Sequence, residues 1–533
     1  FNLPIFPVYI MMFGAKAPIL MTTDCFMLHR HNSGIIKTIR KDTMNTFLYP
    51  LQKLNGFERA KECLDTGKTC QVTGCADSQL AHFITGLSDG YKNKVIVTFS
   101  GTKAKELYED LKAFDKNVVL YPAKDFIFFS ADVHGNVILQ QRLECIKKLV
   151  EDKPCTIVTT ADGLMDKIMP LDRIKENVLE ISEGSIIEMD AIRHKLVQMG
   201  YEGAEQVESP GQFAIRGSII DIYTLTDEVP YRIDMWDDEV DIIKSFEVET
   251  QRSIENLEKI TIYPATDYVL TKEEIRAGID KIKKDLKKNS EALRKQFKTE
   301  EAHRLEVIIK EFIDNEEINE NGMSFDSYVN YFYDGMVSFI DYLKDAAFFI
   351  DEPKRVDEQM KAVETEFRDS MSNRLEKGYV LPGQTDIVWS RKTIESKLDS
   401  VKKVLFTSLD QTVKNFTVDE IASVEAKTIS PYNNKFEMLV EDLKKYKKQK
   451  YQVIMVCASL TRAKRLAEDL RGFGISAFYE EDKEREALSG EVMIVTGHLR
   501  GGFAYPMIKF VVISDTDIFG EKKKKRRKKH NYS

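Results

Sequence analysis

Between residues 55 and 170, short β-branched runs alternate with segments of helical spacing. That alternation constrains the fold more than any other feature of the chain. "KVIVTFS" (94–100) is a strand-like apolar run, and "TKAKELYEDLKAF" (102–114) follows with Leu107, Leu111 and Phe114 on one helical face. "NVVLYPA" (117–123) and "CTIVTTADGLMDKI" (155–168) repeat the pattern. Strands separated by helices cannot pair as hairpins, so they imply a parallel sheet covered on both faces. At 533 residues, three or four domains are expected.

The pattern then changes. Residues 174–265 hold "GQFAIRGSIIDIYTL", "YRIDMWDDEVDIIKSFEV" and "KITIYPA", rich in β-branched and aromatic residues and punctuated by turn signals at Pro210–Gly211 and Asp237–Asp238. They read as a mainly β insertion into an α/β lobe whose pieces are 44–173 and 266–430. In the second piece Thr271 and Glu274 form a capping box, and Ile275, Ile279, Ile282 and Leu286 make the stripe of a solvated amphipathic helix. "AAFFIDEP" (346–353) reads as a buried strand ending in two carboxylates, and "SPYNN" (430–434) as a linker to a small α/β domain over 431–520. Residues 521–533 form a basic linker. Residues 1–43 are apolar at first, carry Pro4 and Pro7, and lack the basic region of a signal peptide. We expect them to be a non-globular or mis-translated leader without functional content.

The net charge is −8, and the run Lys522–Lys529 contributes eight positive charges, so without it the balance becomes −16. An acidic body argues against a broad grip on phosphate backbones. Seven scattered cysteines with no C-x-x-C, and histidines with no H-E-x-x-H, suggest a reduced, cytoplasmic chain without a structural metal. No membrane association is expected.

"QVTGCADSQLAHF" (71–83) raises a sharper question, because it lies where a phosphate loop would lie. Against G-x-x-x-x-G-K-[ST], Gln71 takes the first glycine, Ala76 the second, Asp77 the lysine and Ser78 the hydroxyl, with Gly74 in the turn. A carboxylate for an ammonium reverses the charge offered to a polyanion. One such pair at ~4 Å is worth ~4 kcal/mol at an effective dielectric near 20, and micromolar binding totals only ~8 kcal/mol. The loop is therefore expected to be inactive toward nucleotide. Asp351 and Glu352 after "FFI" match a Walker B strand, as remnants of a Mg²⁺ site or as ordinary acids at a strand end.

Several blocks in order, "VTGCADSQ", "SPGQFAIRGSIIDIY", "YRIDMWDDEVDIIKSF", "ITIYPATDYVLTKEEIRAGIDKIKKDL" and "FFIDEP", resemble UvrB, the damage-verifying helicase of bacterial excision repair. Residues 45–529 more closely resemble the N-terminal part of bacterial transcription-repair coupling factors (Mfd). "YPAKDFIFFSADVHGN", "FEVETQRSIENLEKITIYPA" and "GGFAYPMIKFVVISDTDIFGEKKKKRRKK" carry that closer likeness. The departures from UvrB are Asp77, a segment at 121–135 too short for the DNA-probing hairpin, and no full second motor lobe. The resemblance implies a degenerate RecA-like lobe with a β-rich insertion that contacts UvrA, then the small α/β domain. In that family RNA polymerase binding and ATP-driven, Mg²⁺-dependent translocation on DNA belong to domains downstream of the basic run.

Alternation along "YRIDMW" puts Tyr231, Ile233 and Met235 on one face and Arg232, Asp234 and Trp236 on the other. Arg and Trp are enriched at interface hot spots. The resemblance implies UvrA-binding roles for Arg216, Arg232 and Trp236, with Arg216 projecting from the neighbouring strand. Many relatives carry Phe where Trp236 stands. An ordinary reading also stands: Arg232 pairs with Asp234 or Asp238, and Trp236 is core.

The expected function is a non-catalytic module that recruits UvrA to stalled RNA polymerase, using no cofactor of its own. The alternative is a UvrB-like, ATP-dependent DNA-binding enzyme. A third reading is salt-sensitive DNA contact through the basic run and "HLRGGF" (498–503).

Overall fold

A computed structural model of the chain describes residues 46–75, 77–124, 133–318, 326–482 and 484–520. The expectations for residues 1–43, Ala76, the segment from 125 to 132 and the basic run 521–533 lie outside the described residues.

The predicted parallel sheet is present. Its seven strands lie in the order Glu420–Ser423, Cys70–Thr73, Lys403–Thr407, Ala347–Asp351, Asn93–Thr98, Cys155–Thr160 and Val118–Tyr121. All six pairings are parallel. Successive side chains enter opposite cores: Val95 and Val97 join one cluster and Ile96 the other. The chain leaves the sheet after Thr160 and returns at Ala347, beside Asn93–Thr98. The lobe is therefore built from two sequence pieces.

Between them lies the β insertion. Its six-stranded sheet has the order Ser253–Leu257, Glu239–Phe246, Tyr231–Trp236, Ile219–Ile222, Gln212–Arg216 and Glu202–Gly203. A helix, Met189–Gln198, packs Ile192 and Leu196 into the same apolar core as Ile220, Ile233 and Val97. Insertion and lobe thus share one core. The capping box at Thr271 and Glu274 opens a helix over Lys272–Lys295, with Ile279, Ile282 and Leu286 buried. That stripe packs against the following helix, Thr299–Ile318, through Leu305 and Ile309.

The last domain is a six-stranded sheet with helices Phe436–Lys448 and Leu460–Gly472. It begins earlier than the expected linker. Lys427–Thr428 already pairs with Phe503–Tyr505, and Tyr432 is buried with its N–H donated to Asp517. An aromatic residue gave "SPYNN" a place in the core.

One helix joins this domain to the lobe. Asp77–Leu87 is buried along almost its whole length, from Ser78 to Ile84. A helix buried on every face must be covered on every face. The sheet covers one side; Val456, Met493, Leu499, Phe503 and Tyr505 of the last domain share the cluster on the other. Gly86 permits the close packing: a Cβ there would sit 2.4 Å from Leu51 Cδ1 and 2.9 Å from Phe57 Cε2.

Candidate functional site

Two groups of sequence-predicted residues can now be placed, and they differ in orientation. The first lies on the outer face of the inserted sheet. Antiparallel register sets Asp221 opposite Arg232, Ile219 opposite Asp234, and Arg216 opposite Ile219. Directly opposed residues share a face, so these side chains all project outward. Asp221 is nevertheless fully buried, because the two arginines close over it. Its Oδ1 accepts Arg232 Nε–H at 2.7 Å, and Oδ2 accepts Arg232 Nη2 at 2.8 Å and Arg216 Nη2 at 2.6 Å.

A buried carboxylate without partners would cost several kcal/mol; the forked guanidinium answers it in the bidentate geometry that suits it. The bond to Asp221 raises the Arg232 pKa above its usual value. Arg232 also lies 4.3 Å over the Phe246 ring and donates to Gln251 Oε1 at 2.9 Å. Arg232 is thereby fixed, with 16% of its side chain exposed, while Arg216 keeps 42%. Four residues along from Arg232, Trp236 is 79% exposed.

The ordinary reading of this strand fails on both counts, and the expected place of Arg216 changes. Arg232 pairs with Asp221, not with Asp234 or Asp238, and Asp234 pairs with Lys244 at 2.5 Å. Trp236 is not core. Arg216 does not come from the adjacent strand: Ile219–Ile222 lies between, and Asp221 on that strand bridges the arginines. Asp221 was the residue missed. Its signal was an acid at an outward position of "SIIDIY", a strand otherwise apolar.

The second group is the loop. Gly74 takes φ +87°, and a Cβ there would meet the Val424 carbonyl at 2.2 Å, so the backbone turns tightly against the neighbouring strand end. The helix starts at Asp77, itself at φ +50° with its carboxylate in the first turn. The buried Ser78 hydroxyl donates to Asp110 at 3.0 Å and accepts Gly501 N–H at 3.2 Å. Asp110, fully buried, also takes Arg500 through its backbone N–H at 3.0 Å, Nε at 3.1 Å and Nη2 at 2.8 Å. The hydroxyl that a phosphate loop would turn toward Mg²⁺ is engaged inside the protein, and a carboxylate stands where phosphates need a cation. These residues do not suit a nucleoside triphosphate.

Asp351 is buried rather than a surface acid. It accepts Thr98 Oγ1 at 2.8 Å, and burial raises its pKa. Glu352, at φ +52°, accepts Ser408 N–H at 2.7 Å and Gln411 Nε2 at 3.2 Å. Both carboxylates serve strand-end geometry. The "HLRGGF" arginine, Arg500, is held by Asp110 and by Glu106 at 3.3 Å. Among the described residues no cluster of His, Cys, Asp and Glu could hold a metal, and no helix is long and apolar enough to cross a membrane.

Residues 179–268 match the UvrB interaction domain family. The chain is 28% identical over 463 residues to the transcription-repair-coupling factor of Bacillus subtilis (strain 168), covering 86% of this chain and 39% of that protein. It is likewise 28% identical over 463 residues to that of Staphylococcus haemolyticus (strain JCSC1435), with the same shares. A solved structure titled XPD_Helicase aligns over 85% of this chain and 81% of its own at 11% identity and a TM-score of 0.22. The chain spans about two fifths of the length of the curated relatives it matches. It is homologous to the N-terminal part of transcription-repair-coupling factor, and it carries a UvrB interaction domain.

Proposed function

We propose that this chain is a non-catalytic recruiting module of transcription-coupled excision repair, acting in the cytoplasm, whose inserted domain binds UvrA through Arg216, Arg232 and Trp236. One observation carries the reading. Within the stretch that matches the UvrB interaction domain, a tryptophan is left 79% exposed on the same sheet face as two arginines that a buried aspartate holds. A fixed guanidinium and a solvent-facing indole lose little side-chain freedom on binding, and residues of this kind dominate interface energetics. The delivery of UvrA to stalled RNA polymerase would involve other parts of a longer protein.

Calorimetry of the full chain against UvrA tests it. Trp236→Ala is the clean variant, since an exposed side chain can be truncated without loss of stability. We expect its affinity to fall by at least ~30-fold, the loss of one hot spot of about 2 kcal/mol. Arg232→Ala should also lose binding, but it strips Asp221 of two of its bonds, so circular dichroism must accompany it. A folded wild type that ignores UvrA would end this reading.

The ATP-dependent alternative has one feature in its favour, the buried Asp351 at a strand end two strands from the loop. MgATP binding at micromolar affinity, abolished by Asp351→Ala, would support it instead. The carboxylate of Asp77 and the engaged Ser78 favour the binding module.

A further inference from the structure

The face around Trp236 continues across the sheet. Residues 184–187 run along the far edge of the strand Glu239–Phe246. Gly184 N–H donates to Val240 O at 2.8 Å, Val240 N–H to Ser185 O at 2.9 Å, and Ile187 N–H to Asp238 O at 2.7 Å. This ladder sets Ile186 opposite Glu239, which is itself opposite Trp236. Ile186, Glu239 and Trp236 therefore stand in one row on one face, with the outer two separated by two strand spacings, ~10 Å. Their flanking residues turn inward: Met235 and Val240 are buried, and Ile187 packs against the core.

Ile186 is 75% exposed and Trp236 79%. A single exposed isoleucine needs no explanation, but two large apolar side chains in one row form a patch. Its rim is acidic. Glu183, Glu188, Asp237, Asp238, Glu239 and Asp241 are all exposed, and neither 183–188 nor 237–241 contains a Lys or Arg.

We propose that Ile186 and Trp236 are twin anchors of one docking face, and that this face fits a protein surface whose apolar pocket is ringed by lysine and arginine. The inference rests on the recruiting function proposed above and adds to it a second anchor and the charge of the partner. The rim decides against other occupants. Acids repel nucleic-acid phosphates and anionic lipid, and a second copy in the same pose would oppose acid to acid. Against a basic rim the same charges would steer association and set orientation.

The test uses the full chain with UvrA as the probe, by surface plasmon resonance over a range of salt. Ile186→Ser, at an exposed position, should weaken binding about tenfold, mainly through faster dissociation. Asp238→Lys with Asp241→Lys should slow association about tenfold at low salt and flatten its salt dependence. Loss of binding in Trp236→Ala with wild-type behaviour in both of these variants would overturn the inference and leave the recruiting reading intact. A folded wild type that does not bind UvrA overturns both. Sedimentation showing a dimer that Ile186→Ser dissolves would make a second copy the occupant, and would also overturn it.

Discussion

Two arginine–aspartate clamps in this molecule use the same chemistry to opposite ends. Asp110 and Asp221 are both fully buried, and each accepts from a forked guanidinium. At Asp110 the arginine comes from 390 residues away and, with Ser78, ties the last domain to the helix Asp77–Leu87. At Asp221 both arginines come from within 11 residues, and Arg216 keeps 42% of its side chain exposed. The aromatic neighbours follow the same division. His82 and Tyr505 are enclosed beside the first clamp, whereas Trp236 stands in solvent beside the second. A buried carboxylate costs so much alone that its arginines become fixed; whether that rigidity holds domains together or displays a surface depends on what packs over them.

The largest effect expected from this contrast comes from removing one arginine at each clamp. Arg500→Ala leaves Asp110 buried with only the Ser78 hydroxyl and one backbone N–H, and should cost about 3 kcal/mol in urea unfolding. Arg216→Ala leaves Asp221 its bidentate Arg232, and its partly exposed guanidinium should cost under ~1 kcal/mol. Equal losses would erase the distinction between the two clamps.

The enclosed side also carries a pH dependence. His82 Nε2–H donates to Phe47 O at 2.7 Å, and Nδ1 accepts from the Tyr505 hydroxyl at 2.9 Å. Burial lowers its pKa to about 4. The unfolded chain therefore takes up a proton near pH 6.5 that the folded one refuses until about 4. Stability from the neutral ring is complete above pH 6.5 and declines as pH falls, by about 1.4 kcal/mol per unit. Unfolding at pH 7, 6 and 5 should show this slope in the wild type and lose it in His82→Gln. Burial raises the Asp351 and Asp517 carboxyls, which act in the opposite sense, and subtracting the variant isolates His82.

The same contrast explains what the sequence made legible. Periodic features were readable: the parallel lobe, the inserted β domain, the helix cap at Thr271 and the outward set Arg232, Asp234 and Trp236. Each depends on residues a few positions apart. What joins distant positions was not readable. Strand alternation gave the face of Arg216 but not the strand between it and Arg232, so Asp221 escaped notice. The last domain had no arguable role because its bonds to the helix, such as Gln79 and His82 to the Tyr505 hydroxyl, span more than 400 residues. "DSQLAHFITGL" gave a hint, since a helix with so few exposed positions must be covered on both sides.

Ser78→Ala removes the fewest atoms and is the variant most specific to the loop. The hydroxyl makes one neutral-to-charged bond to Asp110 and receives one backbone N–H from Gly501. Its removal should cost about 1 to 2 kcal/mol, because Arg500 still holds Asp110 while the Gly501 N–H loses its acceptor. If Ser78 instead served a bound metal and nucleotide, the signature would differ. MgATP would raise the unfolding midpoint of the wild type by mass action and leave that of Ser78→Ala unmoved. We expect MgATP to move neither protein, with the whole effect of the substitution present in its absence. A hydroxyl that once suited a ligand would then be holding the last domain in place.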